Sequence, residues 1–530
     1  MFFMATPGDN LAARLLSTAA EHGWGSRIAL RETDRAWTYD DLTDRVTRVA
    51  TALRTLRIAK GERVALYMRD SLDMAAAILG AIYAGMVAVP ISELERPLQV
   101  RDYLNDSGAV AVVVDEKLEP VVDEIRGQVA GLREVLTTGN RAPGERDFHA
   151  LVRGSAPAAT AVSVEPTDTA FILYSAGGNV DGPRGVPHVH ATPVNAFDSY
   201  ANQVLGMSAQ DRVFSVVRLS TAYGLGVGLF FPLLAGAEAT LLPQQPRSEV
   251  LFDIIRQINP TVLFATPSLY SQLARDAEES GLAAPLKGLR VSVSGAEGLP
   301  PKLIPKIKNA LGTDVNVGYG LTEAFQFVIS GVAGSGRPGA CGRPVPGVEA
   351  RIIDDDGNPV GPDVIGTLQI RGKTVLSHYW NPDGSEENDE FSGGWFTTRD
   401  RFMSDEHGHY YHCGRVDELF KVGGKWVSPT EVERALIAHE AVWECAVIGA
   451  PDEDGLTKPL AFVVANIGHT AGDELQSTLR EYVKSELAPY KYPRWIEFVA
   501  TLPKGPHGKI LRYKLRAGGA RRSETASDVH

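Results

Sequence analysis

Short apolar runs alternate with helical patterns along the first half of the chain. Runs typical of buried strands occur at residues 63–67, 86–91 and 109–114, and residues 72–84 show the pattern of a buried helix. Further along come three more strand-like runs and two helical patterns, at 212–216, 238–242, 261–265, 224–235 and 248–258. This alternation predicts an α/β fold, with parallel sheets and covering helices stacked in layers in one large N-terminal domain.

From about residue 340 the sequence pattern changes to shorter strand-like segments, with turn-forming residues at 354–359 and 381–384. This pattern predicts a β-rich subdomain. A helix, a strand and a second helix follow at 429–439, 441–449 and 475–487, as in a small α/β domain. We therefore expect an N-terminal domain over 1–416 and a mobile C-terminal domain over 417–530, with a polar, disordered tail at about 518–530.

The uncharged stretch 74–91 is about long enough to raise the question of a membrane span. Gly80, Gly85 and Pro90 interrupt it, so we interpret it as a buried helix followed by a buried strand and expect no membrane partner. The chain also begins without a basic leader or a sufficiently long apolar run for a secretory signal.

Composition narrows the function classes. The 530 residues carry a net charge of -12, whereas a general nucleic-acid binder usually presents a basic surface. Cys341, Cys413 and Cys445 are widely spaced and match no zinc pattern, which favours a reducing cytoplasm. Nothing in the sequence indicates the oligomeric state.

A glycine-rich loop follows the apolar strand at 169–173. It contains Ser175, Ala176, Gly177 and Gly178 and ends in the cation Arg184. Small residues allow backbone N–H groups to approach phosphate oxygens, and a cation offsets the charge of a leaving pyrophosphate. A glycine-rich surface turn is the alternative, and no Gly-Lys-Ser/Thr of the Walker form is present.

Three further segments carry polar groups suited to nucleotide chemistry. The run from Tyr319 and Gly320 to Thr322 and Glu323 suits a Mg-ATP site, with a helix N-cap as the alternative. Asp400 could accept hydrogen bonds from two ribose hydroxyls or be a turn aspartate. Lys509 lies in a Gly/Pro-rich loop that could extend it into a cleft, although such a basic stretch is usually a solvated surface.

The stretch 414–433 has the order expected of a connection between two rigid bodies. A glycine precedes Arg415 and Asp417, the pair Gly423 and Gly424 follows a short apolar run, and Ser-Pro-Thr-Glu then opens a helix.

These segments, in this order, resemble the adenylate-forming superfamily of acyl-CoA synthetases, peptide-synthetase adenylation domains and luciferases, and are most similar to benzoate–CoA ligases. The resemblance covers residues 37–516 and is most specific at 222–226, 425–429, 452–456 and 487–495. It implies a large domain and a small C-terminal domain that rotates between two half-reactions, with ATP and Mg²⁺ as cofactors and CoA as co-substrate.

The resemblance also implies a role for each motif residue. The loop 175–184 would hold the ATP phosphates, with Tyr319 and Gly320 also in the ATP site. Thr322 would contact the α-phosphate, Glu323 would coordinate magnesium, and Asp400, supported by Arg415, would bind the ribose. Asp417 would be the pivot of the hinge, and Lys509 would bridge the acyl carboxylate and the α-phosphate. Gly423 and Gly424 would line the tunnel for the thiol.

The acyl pocket in the resembling enzymes is lined by three segments, here Ala222, Tyr223 and Gly224, then Ser294, Gly295 and Ala296, then the residues around Gly318 to Glu323, and Gln326 is assigned to the same pocket. Small residues beside Tyr223 predict a flat slot for an aromatic acid. Gln326 stands where benzoate ligases usually carry histidine, which favours a ring with amino or hydroxyl groups.

Two departures touch the ATP site. Arg184 replaces the usual lysine at the end of a phosphate loop one residue longer than usual, and Arg399 replaces the glycine before the ribose-binding aspartate. We expect activation of an aromatic acid through an acyl-adenylate, followed by transfer to CoA. The alternatives are ATP- and nitrite-dependent diazotisation of an aromatic amine and a non-catalytic nucleotide- or acyl-binding relative.

Overall fold

The computed structural model describes residues 10–139, 146–174, 183–243, 248–280, 286, 288–296, 298–299, 301, 303–331, 337, 339–381, 390–416, 418–422, 425–452, 456–504, 510–512 and 514–516. Helices and strands are numbered here in chain order.

The helices are α1 Leu11–Glu21, α2 Tyr39–Thr55, α3 Leu72–Tyr83, α4 Pro97–Ser107, α5 Glu119–Ile125, α6 Phe148–Gly154, α7 Ala191–Ala196, α8 Ala222–Leu225, α9 Phe231–Ala235, α10 Ser248–Ile258, α11 Pro267–Ser280, α12 Leu303–Leu311, α13 Pro429–Ala438 and α14 Asp473–Glu486. Short π-helical turns occupy Phe197–Asn202 and Gly226–Phe230, and short 3₁₀ turns occupy Arg126–Gln128 and Thr322–Ala324. Within the described ranges, none of the helices combines the length and apolarity needed to cross a membrane.

The strands up to residue 330 are β1 Ile28–Arg31, β2 Ala36–Thr38, β3 Arg63–Tyr67, β4 Val87–Ile91, β5 Ala109–Val114, β6 Glu134–Thr137, β7 Thr169–Tyr174, β8 Gly185–Val189, β9 Arg212–Ser215, β10 Glu238–Thr240, β11 Val262–Ala265, β12 Val291–Ser294, β13 Val315–Gly320 and β14 Phe327–Ser330. The later strands are β15 Arg343–Pro344, β16 Val348–Ile353, β17 Gly366–Gly372, β18 Phe391–Ser392, β19 Trp395–Ser404, β20 Tyr410–Arg415, β21 Phe420–Val422, β22 Lys425–Val427, β23 Val442–Pro451, β24 Thr457–Ala465 and β25 Trp495–Phe498.

Two large sheets form the N-terminal part. The first has the order β6-β5-β3-β4-β7-β8 and is parallel except for the β7–β8 pair. The second has nine strands in the order β15-β14-β13-β12-β11-β9-β10-β1-β2, and its pairs from β13 to β1 are parallel. One hydrophobic core contains residues of both sheets together with α1, α2, α3 and α9. All twelve residues of α3 are buried, and its sequence is uncharged except for Asp73, which pairs with Arg45 over 3.0 Å.

A five-stranded antiparallel sheet built from β16 to β20 forms the predicted β-rich subdomain. Its core also takes in Ala324, Val328 and Ile329, so it packs against the end of the nine-stranded sheet. The β19–β20 hairpin thereby comes to lie beside β13. This neighbourhood carries most of the described site residues.

The C-terminal part contains the β21–β22 hairpin and the three-stranded sheet β23-β24-β25. Helix α13 begins where the sequence predicts it, because the Ser428 side chain accepts a hydrogen bond from the backbone N–H of Glu431 and Pro429 occupies the first turn. Two hydrophobic clusters here consist entirely of residues after 417. The boundary at 416/417 and the mobility of this part remain predictions.

The predicted alternation agrees closely with the structure. Strands β3 and β5 and helix α10 have the predicted bounds. The single helix predicted at 224–235 is wrong in detail, because the chain forms α8, a π-helical turn and α9 in succession. A glycine stands at the first junction: a Cβ on Gly226 would lie 1.9 Å from Gln326 Nε2.

Candidate active site

The segment from Tyr319 to Glu323 leaves the end of β13 and enters a single 3₁₀ turn. The alternative of a side-chain-capped helix is wrong here, since Thr322–Ala324 is only three residues long and Leu321 at its cap makes no side-chain hydrogen bond. Gly320 allows the chain to fold back closely, because a Cβ there would lie 2.7 Å from the carbonyl oxygen of Gln326. Thr322 and Glu323 are therefore placed where β13 ends, close to Gln326, a residue of the predicted acyl pocket.

Asp400 lies in the middle of β19, so the alternative of a turn aspartate is wrong. Tyr319 donates a hydrogen bond from its hydroxyl to Asp400 Oδ2 over 2.8 Å, and His412 Nε2 donates to Oδ1 over 3.0 Å. Burial opposes the charge, yet His412 and the positive Arg415, the ladder partner of Asp400, hold the pKa of this carboxyl below its usual value. The carboxylate keeps free lone pairs, as ribose hydroxyls would require.

Glu323 is a half-buried carboxylate whose Oε1 accepts a hydrogen bond from the Tyr379 hydroxyl over 3.1 Å. Burial raises the pKa of Glu323, and the nearby negative charge of Asp400 adds to this. A cation at this point would relieve both effects. Among the described residues no group of three or more His, Cys, Asp and Glu side chains could hold a metal. The single carboxylate of Glu323 nevertheless fits Mg²⁺, which is commonly held by one or two carboxylates and substrate phosphates.

Arg184, at the end of the predicted phosphate loop, is oriented by two neighbours. Its Nη1 and Nη2 each donate to Glu390, to Oε1 and Oε2 respectively, over 2.9 Å. Its guanidinium carbon lies 3.8 Å from the ring centroid of Tyr379. The bidentate hydrogen bond to Glu390 raises the pKa of Arg184, so a full positive charge sits beside the residue that contacts Glu323.

Gln326 is buried in the predicted acyl pocket. Its side-chain nitrogen donates to the carbonyl oxygens of Ala222 and Tyr223 over 2.9 Å and 3.2 Å. Because both neighbours are acceptors, only the nitrogen can face them, which fixes the orientation of the amide. Its oxygen, Oε1, is buried and has no hydrogen-bond partner within the described part of the chain. Such an acceptor is costly unless a ligand supplies a donor.

Phe327 packs against other residues of the predicted acyl pocket. Its ring lies 5.0 Å from the ring of Tyr223, centroid to centroid, in an edge-on arrangement. A Cβ added to Gly295 or to Gly318 would lie 2.5 Å from the Phe327 ring. Both glycines therefore let an aromatic ring pack against the backbone. The Phe327 ring packs edge-on against Tyr223 beside these two glycines, and the flat slot for an aromatic acid remains a prediction.

Three further residues of the predicted pocket are Ser294, Ala296 and Gly224. Ser294 is fully buried and ends β12, while Ala296 adopts a positive φ of 72° just after it. Gly224 passes close to the backbone, since a Cβ there would lie 2.0 Å from the carbonyl oxygen of Arg218. Phe325, also at positive φ (65°), packs on His188, and burial lowers the pKa of His188 to about 3, so this imidazole is neutral.

Three neighbours of the predicted site residues were missed in the sequence, namely Tyr379, Glu390 and His412. Only His412 had a usable signal: the turn after Ser404 predicts a hairpin that pairs β19 with β20, and so brings His412 near Asp400. Some predicted residues lie outside the described residues: Ser175, Ala176, Gly177, Gly178, Asp417, Gly423, Gly424 and Lys509. Their roles remain predictions.

The structure brings together a carboxylate suited to ribose, one suited to magnesium and a cation suited to phosphate. Tyr319 contacts the first, and Tyr379 contacts the other two. The chain matches the family model described as AMP-binding enzyme over residues 17–380 and that of the AMP-binding enzyme C-terminal domain over 431–509. It belongs to the AMP-binding enzyme family.

Three relatives illustrate the similarity. The benzoate–CoA ligase of Thauera aromatica is 38% identical over 514 residues, 96% of this chain and 96% of that protein. The structure of the anthranilate CoA ligase AuaEII in complex with anthranoyl-AMP is 33% identical, with a TM-score of 0.92 over 98% of this chain and 99% of that one. The benzoate CoA ligase from Burkholderia xenovorans LB400 is 35% identical, with a TM-score of 0.88 over 96% of this chain and 100% of that one.

Family membership confirms the predicted adenylate-forming superfamily, the likeness to benzoate–CoA ligases and the α/β fold with a small C-terminal domain. It also confirms the predicted enzyme class, an AMP-forming acid–thiol ligase, with ATP and Mg²⁺ as cofactors and CoA as co-substrate. The roles of individual site residues remain predictions.

Proposed function

We propose that the enzyme activates an aromatic carboxylic acid whose ring carries a hydrogen-bond donor, such as an amino or hydroxyl group, and transfers the acyl group to CoA. Relatives named as ligases of benzoate, hydroxybenzoate and anthranilate support the aromatic acid. The donor on the ring is supported by one observation, the buried and unpartnered Oε1 of Gln326.

The argument from Gln326 is energetic. The side chain is 4% exposed, so water does not readily replace a missing partner. A ring N–H or O–H in the slot would satisfy Oε1, whereas an unsubstituted ring would leave it unpaired. Leaving a buried acceptor unsatisfied costs about 1–3 kcal/mol, which corresponds to roughly a 5- to 150-fold preference for the substituted ring.

Side chains of this protein supply the charge and the orientation that the first half-reaction requires. An oxygen of the acid attacks the α-phosphorus of ATP, a new P–O bond forms, and the bond to pyrophosphate breaks. Arg184 offers positive charge to the phosphates, and Asp400 orients the ribose. Magnesium on Glu323 would neutralise phosphate charge when bound. In the second half-reaction the CoA sulfur attacks the acyl carbon, and AMP leaves.

A substrate panel tests the proposal. Benzoate, its three amino isomers, its three hydroxy isomers and the matching methyl isomers are each supplied with ATP, Mg²⁺ and CoA, and aryl-CoA is measured by mass spectrometry. We expect an amino or hydroxy acid to exceed both benzoate and the methyl isomer in kcat/KM. Gln326→Leu should remove this preference while leaving benzoate turnover in place. No thioester from any aryl acid would refute the aryl–CoA assignment.

A parallel arm replaces CoA with nitrite and uses the aminobenzoates. AMP release that depends on both nitrite and the amine would instead support diazotisation of an aromatic amine. Nucleotide binding with no pyrophosphate exchange under any condition would support a non-catalytic relative. Each outcome selects one of the three functions.

A further inference from the structure

Glu390 receives hydrogen bonds from two arginines. Arg184 binds both of its carboxylate oxygens over 2.9 Å, and Arg399 Nη2 reaches Oε1 over 3.3 Å. Arg184 and Arg399 are the two residues that depart from the superfamily pattern at the ATP site. Although they are far apart in the sequence, they meet on one carboxylate, so the two departures form a single structural unit.

The guanidinium of Arg184 is held on two sides. Glu390 engages it edge-on, and the Tyr379 ring lies against its face, 3.8 Å from the guanidinium carbon. The Arg184 side chain is 28% exposed, so part of it remains accessible. These contacts leave the guanidinium one orientation, with its remaining edge available.

The number of unused N–H groups shows whether Arg184 can bind phosphate while it is paired with Glu390. A guanidinium has five N–H groups, and the two bonds to Glu390 use one N–H on Nη1 and one on Nη2. Within the described part of the chain, three N–H groups remain for another partner, including the one on Nε. Arg184 can therefore bind phosphate oxygens without leaving Glu390. A lysine ammonium lacks this fork, and the same carboxylate would compete with phosphate for it.

We propose that Glu390 is a positioning residue that aims the free N–H groups of Arg184 at the β- and γ-phosphates of ATP. Arg399 supports it by donating to the same carboxylate, so that Glu390 stays in place when phosphate approaches. The inference rests on the use of ATP and the predicted phosphate role of Arg184. It does not depend on which acid is activated or on the final acceptor.

Equilibrium nucleotide binding distinguishes a role of Glu390 in binding the β- and γ-phosphates from a general structural role. Calorimetry on the full chain, without acid or CoA, compares MgATP with AMP, which lacks the β- and γ-phosphates. We expect Glu390→Gln to raise the Kd for MgATP about tenfold and to leave that for AMP unchanged, since misplaced charge weakens only the phosphate contacts. Equal weakening of both nucleotides, or MgATP binding that is unchanged or tighter, would overturn the proposal.

Two further variants keep the test decisive. If Glu390→Gln does not fold, Glu390→Asp retains the charge and should give an intermediate loss for MgATP alone. The matched control is Glu349→Gln, which removes another arginine–glutamate pair of the same subdomain, with Arg371, and should change neither Kd.

A double-mutant cycle tests whether Glu390 acts through Arg184. In an Arg184→Lys background, Glu390→Gln should change the MgATP Kd less than about twofold, because the fork that it orients is gone. A full tenfold loss in that background would show that Glu390 acts by another route and would also overturn the proposal.

Discussion

Tyr379 donates its hydroxyl to Glu323 over 3.1 Å while the face of its ring carries the guanidinium of Arg184. One buried side chain thus connects the carboxylate predicted to hold magnesium with the cation predicted to hold phosphate. The two contacts use different parts of the side chain, the hydroxyl and the ring. They can therefore be separated by removing the hydroxyl alone.

Tyr379→Phe should move the acid limb of the adenylation pH profile to higher pH. Burial raises the pKa of Glu323, and the Tyr379 hydrogen bond works against this by stabilising the ionised carboxylate. Loss of the hydrogen bond therefore raises the pKa of Glu323 further, so the proton displaces the metal at a higher pH. Pyrophosphate exchange measured against pH at fixed, subsaturating Mg²⁺ records the shift.

The control for this prediction is Tyr411→Phe. Tyr411 also donates its hydroxyl to a carboxylate of the β-rich subdomain, Asp405, over 3.0 Å, but that carboxylate has no predicted role in the site. Its profile should match that of the wild type. An unchanged acid limb in Tyr379→Phe would show that this hydrogen bond does not govern Glu323.

Much of the fold could be predicted because burial on both faces leaves a clear trace in the sequence. The apolar run of β5 and the apolar helix α3 could be located for this reason. The interrupted helix at 224–235 could not be predicted, because the apolar run shows no break at the π-helical turn Gly226–Phe230. The side chain that approaches Gly226 there, Gln326, is far away in the chain.

The site also contains residues that could be predicted from the sequence and residues that could not. Residues within motifs, such as Glu323 and Asp400, could be located from the sequence. Tyr379 and Glu390 could not, because each acts through a contact with a residue far away in the chain and neither belongs to a motif used here. The sequence showed that Arg184 and Arg399 are unusual, and only the structure shows that they share a partner.

Asp400→Asn should reduce discrimination between ATP and 2′-deoxyATP. The carboxylate has lone pairs for ribose hydroxyls in addition to those used by Tyr319 and His412, so loss of one hydroxyl should cost the wild type about tenfold in kcat/KM. The amide of the variant accepts fewer hydrogen bonds and carries no charge, so the ratio should approach one. Steady-state pyrophosphate exchange with both nucleotides provides the measurement, and a wild type indifferent to the 2′-hydroxyl would contradict the ribose role.

Gly295→Ala should impair use of the acid and spare that of ATP. The added Cβ would lie 2.5 Å from Phe327 Cζ and 3.3 Å from Tyr223 Cε1, so the aromatic wall of the slot must move. Overpacking of this kind costs about 1–3 kcal/mol, which predicts a KM for the acid raised roughly 5- to 150-fold.

A second change and a control identify the cause. Adding Phe327→Ala should restore part of the affinity for the acid by removing the clash. Gly331→Ala should have little effect, because its Cβ would meet its nearest neighbour, the Val317 carbonyl oxygen, at an ordinary 3.6 Å. An equal rise in the KM values for acid and ATP in Gly295→Ala would indicate a general loss of structure instead.

Lys509→Ala should abolish adenylate formation and largely spare thioester formation from a supplied aryl-adenylate. In the superfamily this lysine bridges the two anions that react in the first step and leaves before the second, so its charge matters only once. Pyrophosphate exchange measures the first step, and aryl-CoA release from synthetic aryl-AMP measures the second. The matched control is Lys504→Ala, since Lys504 pairs with Glu444 over 2.7 Å and should be needed for neither step. Equal loss of both steps in Lys509→Ala would contradict a rotation of the C-terminal domain between two half-reactions.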